Sequence, residues 1–427
     1  MTGQLTIKPS SLLAALLLAL LPITAKAQDL DQRAADIAAA MQGQATYEEV
    51  FAPAFTSAVP QAQFAAIRGQ LESQLGPLQG VEAVSPLNAT SARITLRFAH
   101  GRASGQFTLD PAPPHAVAGF VLRDIQPLDD SAEQLLDDLG DLPGEASVLI
   151  TRLSDPDNPL AAMNAGQRMA VGSTFKLWVL SALAQSIAAG EHSWDEVVPL
   201  TARSFPSGQL HLWPAGSPLT LHTLATMMIS NSDNTATDQL IAVLGRDAVE
   251  AELLASGHGD PSATLPLLTT REMFVLKSAS QAELAAYRAA DRDERLAMLA
   301  DLAGVERSEE QVIAAFSGSP VALDVEWLAS GEDIVGVMRR LAALEDDTAR
   351  QIMAVNTALS AEQAQGWSYA GYKGGSEPGV INMSWLLRDA TGEWSVVTLS
   401  WNNPQASVDN AAFALLATRA VMLAAPR

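Results

Sequence analysis

Residues 170–177 read Ala-Val-Gly-Ser-Thr-Phe-Lys-Leu, which places Ser173 three positions before Lys176. On a helix, residues three apart share a face, so the lysine can reach the hydroxyl from the next turn. A serine is a poor nucleophile until a base takes its proton, and a buried lysine with a lowered pKa can be that base. At the first turn of a helix Ser173 also lies near the positive end of the helix dipole. The chain has five lysines, at 8, 26, 176, 277 and 373, and 26 − 5 = 21 arginines. An ammonium can lose its proton when desolvated and a guanidinium cannot. Where arginine meets the ordinary cationic needs, lysine is left for chemistry, and positions 176 and 373 stand out.

Two further motifs lie downstream. Residues 230–236 read Ser-Asn-Ser-Asp-Asn-Thr-Ala, putting Ser232-Asp233-Asn234 in a loop between two apolar helical stretches. Ser232 would pass a proton to a leaving group, the Asn234 amide would hold a carbonyl, and Asp233 would tie the loop to backbone. The same residues also suit a plain N-cap for a helix over Thr235–Val243. Residues 372–376 read Tyr-Lys-Gly-Gly-Ser, at the end of a strand expected from Trp367. There Lys373 offers charge to a substrate carboxylate, and the glycines let the strand approach a ligand's backbone closely.

Working outward, a strand is expected at Ala146–Arg152 and another before Met169, with helical patterns from Ser173 to about Leu359. Strands return at Trp367–Lys373, Val380–Leu387 and Trp394–Trp401, followed by a helix over Ala406–Ala424. This order describes one sheet assembled from both ends of a domain spanning 145–427. Upstream, helix-like stretches at Leu30–Met41, Tyr47–Thr56 and Gln61–Leu75 precede period-two alternation in Arg93–Phe98. With strands near Ala103–Leu109 and Val117–Ile125, residues 28–128 read as a small α+β domain. Residues 129–144 contain an acidic run with five aspartates and one glutamate, and read as a solvated linker helix ended by Pro143-Gly144.

Residues 1–27 resemble a leader: Lys8, an apolar run from Leu12 to Leu21, then Ala25-Lys26-Ala27 at a peptidase-type site. A spanning helix takes about 20 apolar residues, so this run is too short, although a brief N-terminal anchor is the alternative. The expectation is an exported protein, periplasmic or secreted, with no stable membrane insertion after cleavage. The net charge of −22 and the absence of any basic run exclude nucleic acid as a partner. Cysteine is absent, which removes disulfides, thiol catalysis and Cys-ligated metals. The six histidines form no ligand pair, so no metal and no cofactor is expected.

Taken in order, Ser-x-x-Lys, Ser-Asp-Asn and Lys-Gly-Gly resemble the motif set of the penicillin-binding serine hydrolases, and their flanks are similar to class A β-lactamases. The resemblance covers about Ala146 to Pro426. It implies an α+β architecture: a β-lactamase/transpeptidase-like αβα domain, preceded here by a cystatin/NTF2-like accessory domain. It further implies Ser173 as nucleophile, Lys176 as base and Ser232 as proton relay, with Asn234, Lys373, Gly375 and Ser376 on the substrate. The backbone N–H groups of Ser173 and Ser376 would form the oxyanion hole. Trp213 would wall the entrance or pack in the core.

The departures concern the second half-reaction. The Glu-x-x-Leu-Asn loop that frees the acyl-enzyme in class A enzymes has no counterpart. Only 34 residues separate Asn234 from Thr269, and the acids among them (Asp238, Asp247, Glu250, Glu252, Asp260) do not fit that pattern. Gly374 stands where a hydroxyl residue is usual, and a helical, charge-rich insertion occupies about 278–327. With the leader and the small first domain, these features resemble a two-domain β-lactamase-like group of the kind found in the clavulanic acid biosynthesis cluster. The implied substrate is a small molecule: a β-lactam, an ester or a cell-wall peptide. The alternatives are an esterase, a penicillin-binding or DD-peptidase-like protein, and a non-catalytic binder of β-lactams or wall fragments.

Overall fold

The computed structural model describes residues 22–127, 131–302, 304–305, 308–316 and 318–426. They form two compact units that divide between Asp129 and Asp130. The apolar run Leu12–Leu21 lies outside the described residues. The first helix, Pro22–Met41, continues unbroken through Ala27, the expected cleavage position. No helix among the described residues is long and apolar enough to cross a membrane.

In the first unit that helix, two short turns and the helix Gln61–Leu75 precede a four-stranded antiparallel meander. Its strands are β1 (Leu78–Pro86), β2 (Ser91–Phe98), β3 (Gly101–Leu109) and β4 (Val117–Pro127), in sheet order 1-2-3-4. Along β2 the alternation expected from the sequence buries Ile94, Leu96 and Phe98. They pack in one core with Ile37, Leu71 and Leu75 of the helices and an aromatic cluster of Tyr47, Phe51, Phe55 and Phe64. Strand β1 left no such trace. It is an edge strand that buries only Leu78, so few of its side chains show a face preference.

The second unit is built on a five-stranded antiparallel sheet. Strands β5 (Glu145–Arg152) and β6 (Ala161–Met163) come from its beginning, and β7 (Tyr369–Glu377), β8 (Val380–Arg388) and β9 (Trp394–Asn402) from its end. The order is β7-β8-β9-β5-β6, so the two chain segments meet where β9 pairs with β5 from Ser395↔Arg152 to Asn402↔Glu145. One face is covered by the closing helix Asn410–Ala424 and by the helix Ala132–Gly140. The latter corrects the expected linker. Ser131 caps it, and Leu135 and Leu139 are fully buried in one core with Trp385, Trp401 and Phe413. Its acids occupy only the outer face, and one of them, Asp138, pairs with Arg419 of the closing helix.

The opposite face carries the helical layer. Its centre is the helix Lys176–Ala188, buried from Lys176 through Ala184 and hydrophobic all round, as a helix enclosed by others must be. The helices Leu221–Ser230, Asn234–Leu244, Arg246–Ala255 and Gly331–Ala342 share its core. The segment expected as an insertion forms helices over Gln281–Ala289, Arg292–Leu302 and Glu309–Ala315, and it buries Leu284, Tyr287 and Leu299 in that same core. Where it rejoins the unit, Trp327 stacks on Phe175 at 3.8 Å between ring centroids and donates its indole N–H to Leu268 O.

Candidate active site

The Ser173 turn is pinned from three sides. Ala170, just before it, is held on both backbone groups by the Asn402 side chain of β9, at 2.8 and 3.0 Å. Val171 N donates to Trp327 O. Thr174 donates its hydroxyl to Asn382 Oδ1 of β8 at 2.8 Å in a buried bond. Residues Gly172–Phe175 form a single 3-10 turn that runs directly into the helix beginning at Lys176. Ser173 therefore sits on a tight turn before the α-helix and not within its first turn.

Two glycines make the close approach of this turn to β7 possible. Gly172 has φ +49°, a left-handed conformation that side chains disfavour, and a Cβ there would lie 3.1 Å from Ser376 N. A Cβ on Gly375 would lie 2.2 Å from Val171 O and 2.3 Å from Ser173 N, a collision with backbone that cannot relax. Both residues must lack a side chain for Ser173 N and the Ser376 backbone to come together at one place. That is the arrangement expected of an oxyanion hole.

Lys176 is 0% exposed. Its Nζ donates to Ser232 O at 2.7 Å, Asn234 Oδ1 at 2.8 Å and Ser232 Oγ at 3.2 Å. These three partners take all of an ammonium's donors. The expected contact with Ser173 is not among them; the lysine instead holds the Ser-Asp-Asn loop. Burial, assisted by the nearby Lys373 charge, pushes its pKa well below the usual lysine range, while Asp238 and Asp233 act in the opposite sense. Lys373, 3% exposed, reaches the same hydroxyl from β7: its Nζ donates to Ser232 Oγ at 3.1 Å and to Gly374 O. Burial pushes Lys373 down to about 7.

Ser232 is thus the meeting point of two lysines. Its φ of +55° is left-handed, a strain of roughly 1–3 kcal/mol for a non-glycine residue that is tolerated where the surroundings enforce it. Asp233 supplies the enforcement. Fully buried, it accepts from Gln209 N (2.6 Å), Leu210 N (2.9 Å) and Ala236 N (2.9 Å), so it both caps the helix Asn234–Leu244 and anchors the loop.

Ser173, Ser232, Asn234, Lys373, Gly375 and Ser376 all border one cavity of about 530 Å³. Trp213 does not: it follows the turn Leu210–Leu212, is 48% exposed and is not part of the wall, to which its own loop contributes Pro206 and Ser207. The acids of the short loop are also elsewhere. Asp238 holds Thr270 and Arg271, Glu250 accepts from Leu267 N and pairs with Arg292, Glu252 pairs with Arg340, and Asp260 pairs with Arg168 on the surface. Asp247 is exposed beside Arg292. From the inserted segment Phe316 and Trp327 reach the cavity, so it forms part of the wall.

Sequence reasoning missed three groups. Tyr372 borders the cavity, and so does Glu377, which is two residues beyond Gly375 and on the same strand face. Glu377 belongs to a buried cluster with Lys277 and Glu326 in which Lys277 Nζ bonds both carboxylates. Burial and the neighbouring Glu326 push Glu377 up to about 8. Spacing from Lys373 could have placed Tyr372 and Glu377 at the site, but no local pattern announces Lys277.

The Ser173 turn, two buried lysines on one serine and a two-ended antiparallel sheet between helices meet at one cavity. Residues 130–316, somewhat less than half of the chain, match the model of the Beta-lactamase enzyme family. The matched residues lie within the second unit, which begins at Asp130. Among solved structures, a β-lactamase from Sphaerobacter thermophilus is 20% identical, covering 69% of this chain and 95% of its own, with a TM-score of 0.47. A protein named PBP-A is 15% identical over 68% of this chain and 93% of its own, at 0.46. An ancestral class A β-lactamase is 17% identical over 68% and 97%, at 0.47. No curated protein matches the chain.

Proposed function

We propose that the chain is an exported active-site-serine hydrolase that forms an acyl-enzyme on Ser173, acting on β-lactams or related esters and amides. The observation that carries this reading is the convergence of Lys176 and Lys373 on Ser232 Oγ beside the Ser173 turn, with Lys176 driven towards its neutral form. A neutral Lys176 keeps two N–H donors for Ser232 O and Asn234 and frees a lone pair to take the Ser173 proton. The alkoxide then adds to the substrate carbonyl, whose oxygen is met by Ser173 N and Ser376 N. As the C–N or C–O bond breaks, the proton passes from Lys176 through Ser232 to the leaving atom. Lys373, still partly charged near pH 7, holds the substrate's anionic end.

Hydrolysis of the acyl-enzyme would be the slow half. None of the acids at 238–260 borders the cavity, so a water near the ester has no loop carboxylate to activate it. This favours long-lived adducts of the penicillin-binding type over rapid turnover. Each tenfold loss in rate corresponds to about 1.4 kcal/mol of barrier.

Intact-mass spectrometry after mixing with a chromogenic cephalosporin, with absorbance followed in parallel, tests the reading. A mass increase on Ser173 that is lost in Ser173→Ala is expected, with weak turnover. Identical behaviour of parent and variant towards both β-lactams and activated esters would sink it and leave a non-catalytic binder.

A further inference from the structure

Strand β7 carries one packing device twice. Tyr369 lies along the strand so that its hydroxyl oxygen stands 2.1 Å from where a Cβ on Gly371 would be, and Tyr372 lies over Gly374 with the same 2.1 Å spacing. Residues i and i+2 share a strand face, so each ring covers the bare backbone that its glycine leaves. An aromatic ring over an edge-strand glycine is a structural device in itself. At the first pair that role accounts for every group: the Tyr369 ring meets Trp394, and its hydroxyl donates to Arg350 O at 2.9 Å.

The second pair differs at the hydroxyl. The Tyr372 ring packs on Trp385, but among the described residues nothing is hydrogen-bonded to its oxygen, and the residue borders the cavity shared by Ser173 and Lys373. Burial pushes the phenol up to about 12, so it carries its proton at any physiological pH. On the same cavity, the Lys373 ammonium donates to Ser232 Oγ and Gly374 O and has a third N–H remaining. A protonated phenol with no protein acceptor and a buried cation with a donor to spare, both bordering one cavity, are complementary to an anion held there. Position 374 cannot supply that contact itself, because the phenol fills the space its side chain would need.

We propose that the Tyr372 hydroxyl is a specificity-determining donor of this site, hydrogen-bonding the carboxylate of the substrate alongside Lys373. The inference rests on the acyl-enzyme reading above and names a further side chain that reads the substrate's anionic end. Gly374 and Tyr372 are on this view a matched pair, one vacating the space that the other occupies with a hydroxyl.

The test compares benzylpenicillin with its methyl ester, which differ only in the carboxylate, by the rate at which each acylates the full-length protein in intact-mass measurements. Tyr372→Phe keeps the ring over Gly374 and removes only the donor. It is expected to lower the acid-to-ester rate ratio by roughly tenfold or more, as loss of a hydrogen bond to a charged group does. Gly374→Ser with Tyr372→Ala restores a hydroxyl at the same place and is expected to recover much of the ratio, whereas Tyr372→Ala alone does not. A ratio within twofold of the parent in Tyr372→Phe overturns the proposal while leaving the acyl-enzyme reading intact. If neither probe acylates the parent at Ser173, the acyl-enzyme reading fails first and this proposal falls with it.

Discussion

Lys176 and Lys277 are equally hidden from water, at 0% and 2% exposure, and their environments push them towards opposite charge states. Around Lys176 every hydrogen-bond acceptor is neutral: a carbonyl, an amide and a hydroxyl. Desolvation is then barely opposed, the Lys373 charge adds to it, and the pKa falls. Around Lys277 the acceptors are the carboxylates of Glu326 and Glu377, whose charges overcome the same desolvation and raise the pKa. Burial alone therefore does not make a lysine a base; the formal charge of its partners does. One region suits proton transfer, and the other holds the returning end of the inserted segment to β7.

The comparison can be broken from either side. Lys176→Met is expected to cost acylation roughly 10²–10⁴-fold, the usual worth of a positioned general base, with a smaller loss of stability than at Lys277 because the acceptors it leaves are neutral. Acylation kinetics and thermal melts on one preparation check both halves. Lys277→Met should do the reverse. It leaves two buried carboxylates facing each other, and loss of one partner of a buried pair costs about 3–5 kcal/mol. Urea denaturation reads that loss directly.

Two pH effects sharpen the contrast. Glu377 titrates near 8 in the folded protein against an ordinary 4.5, so the native state binds its proton more tightly than the unfolded chain. Its contribution to stability is therefore present below about 4.5 and declines as pH rises to about 8; Glu377→Gln should flatten that slope. Lys373 is pushed down to about 7, so its positive charge fades as pH climbs through that value. Acylation by a carboxylate-bearing β-lactam, relative to its neutral ester, should weaken over the same range. The smallest effect belongs to Trp213→Ala. The side chain is half exposed and outside the cavity wall, so stability should change by no more than about 0.5 kcal/mol and acylation rates by less than twofold.

Much of the second unit was legible because its determinants are local. The β8 and β9 strands are rich in Val, Ile, Leu and Trp, the Ser-Asp-Asn loop lies between two apolar helices, and the glycines of β7 sit where a strand must pass a turn. The helix Ala132–Gly140 reads as solvated because its acids outnumber Leu135 and Leu139, yet two leucines on one face are enough to dock it. The Lys277 cluster joins positions 277, 326 and 377, whose charges become informative only once the chain has folded. Tyr372 belongs to a legible motif, but nothing in a sequence shows that its phenol lies along the strand and over a neighbouring glycine. The exchange of Lys176's expected partner has a similar origin: its preference for the Ser232 loop is a tertiary contact.

The pairing of β5 with β9 divides the machinery between two stretches of chain. Ser173, Lys176 and Ser232 precede the segment 278–327, whereas Lys373 and Ser376 follow it. Two polypeptides made by opening the chain inside that segment would each carry half a site and a matching sheet edge. Reassembly, followed as recovery of Ser173 labelling when the halves are mixed, would make this unit a complementation reporter whose signal depends on the two strands finding each other.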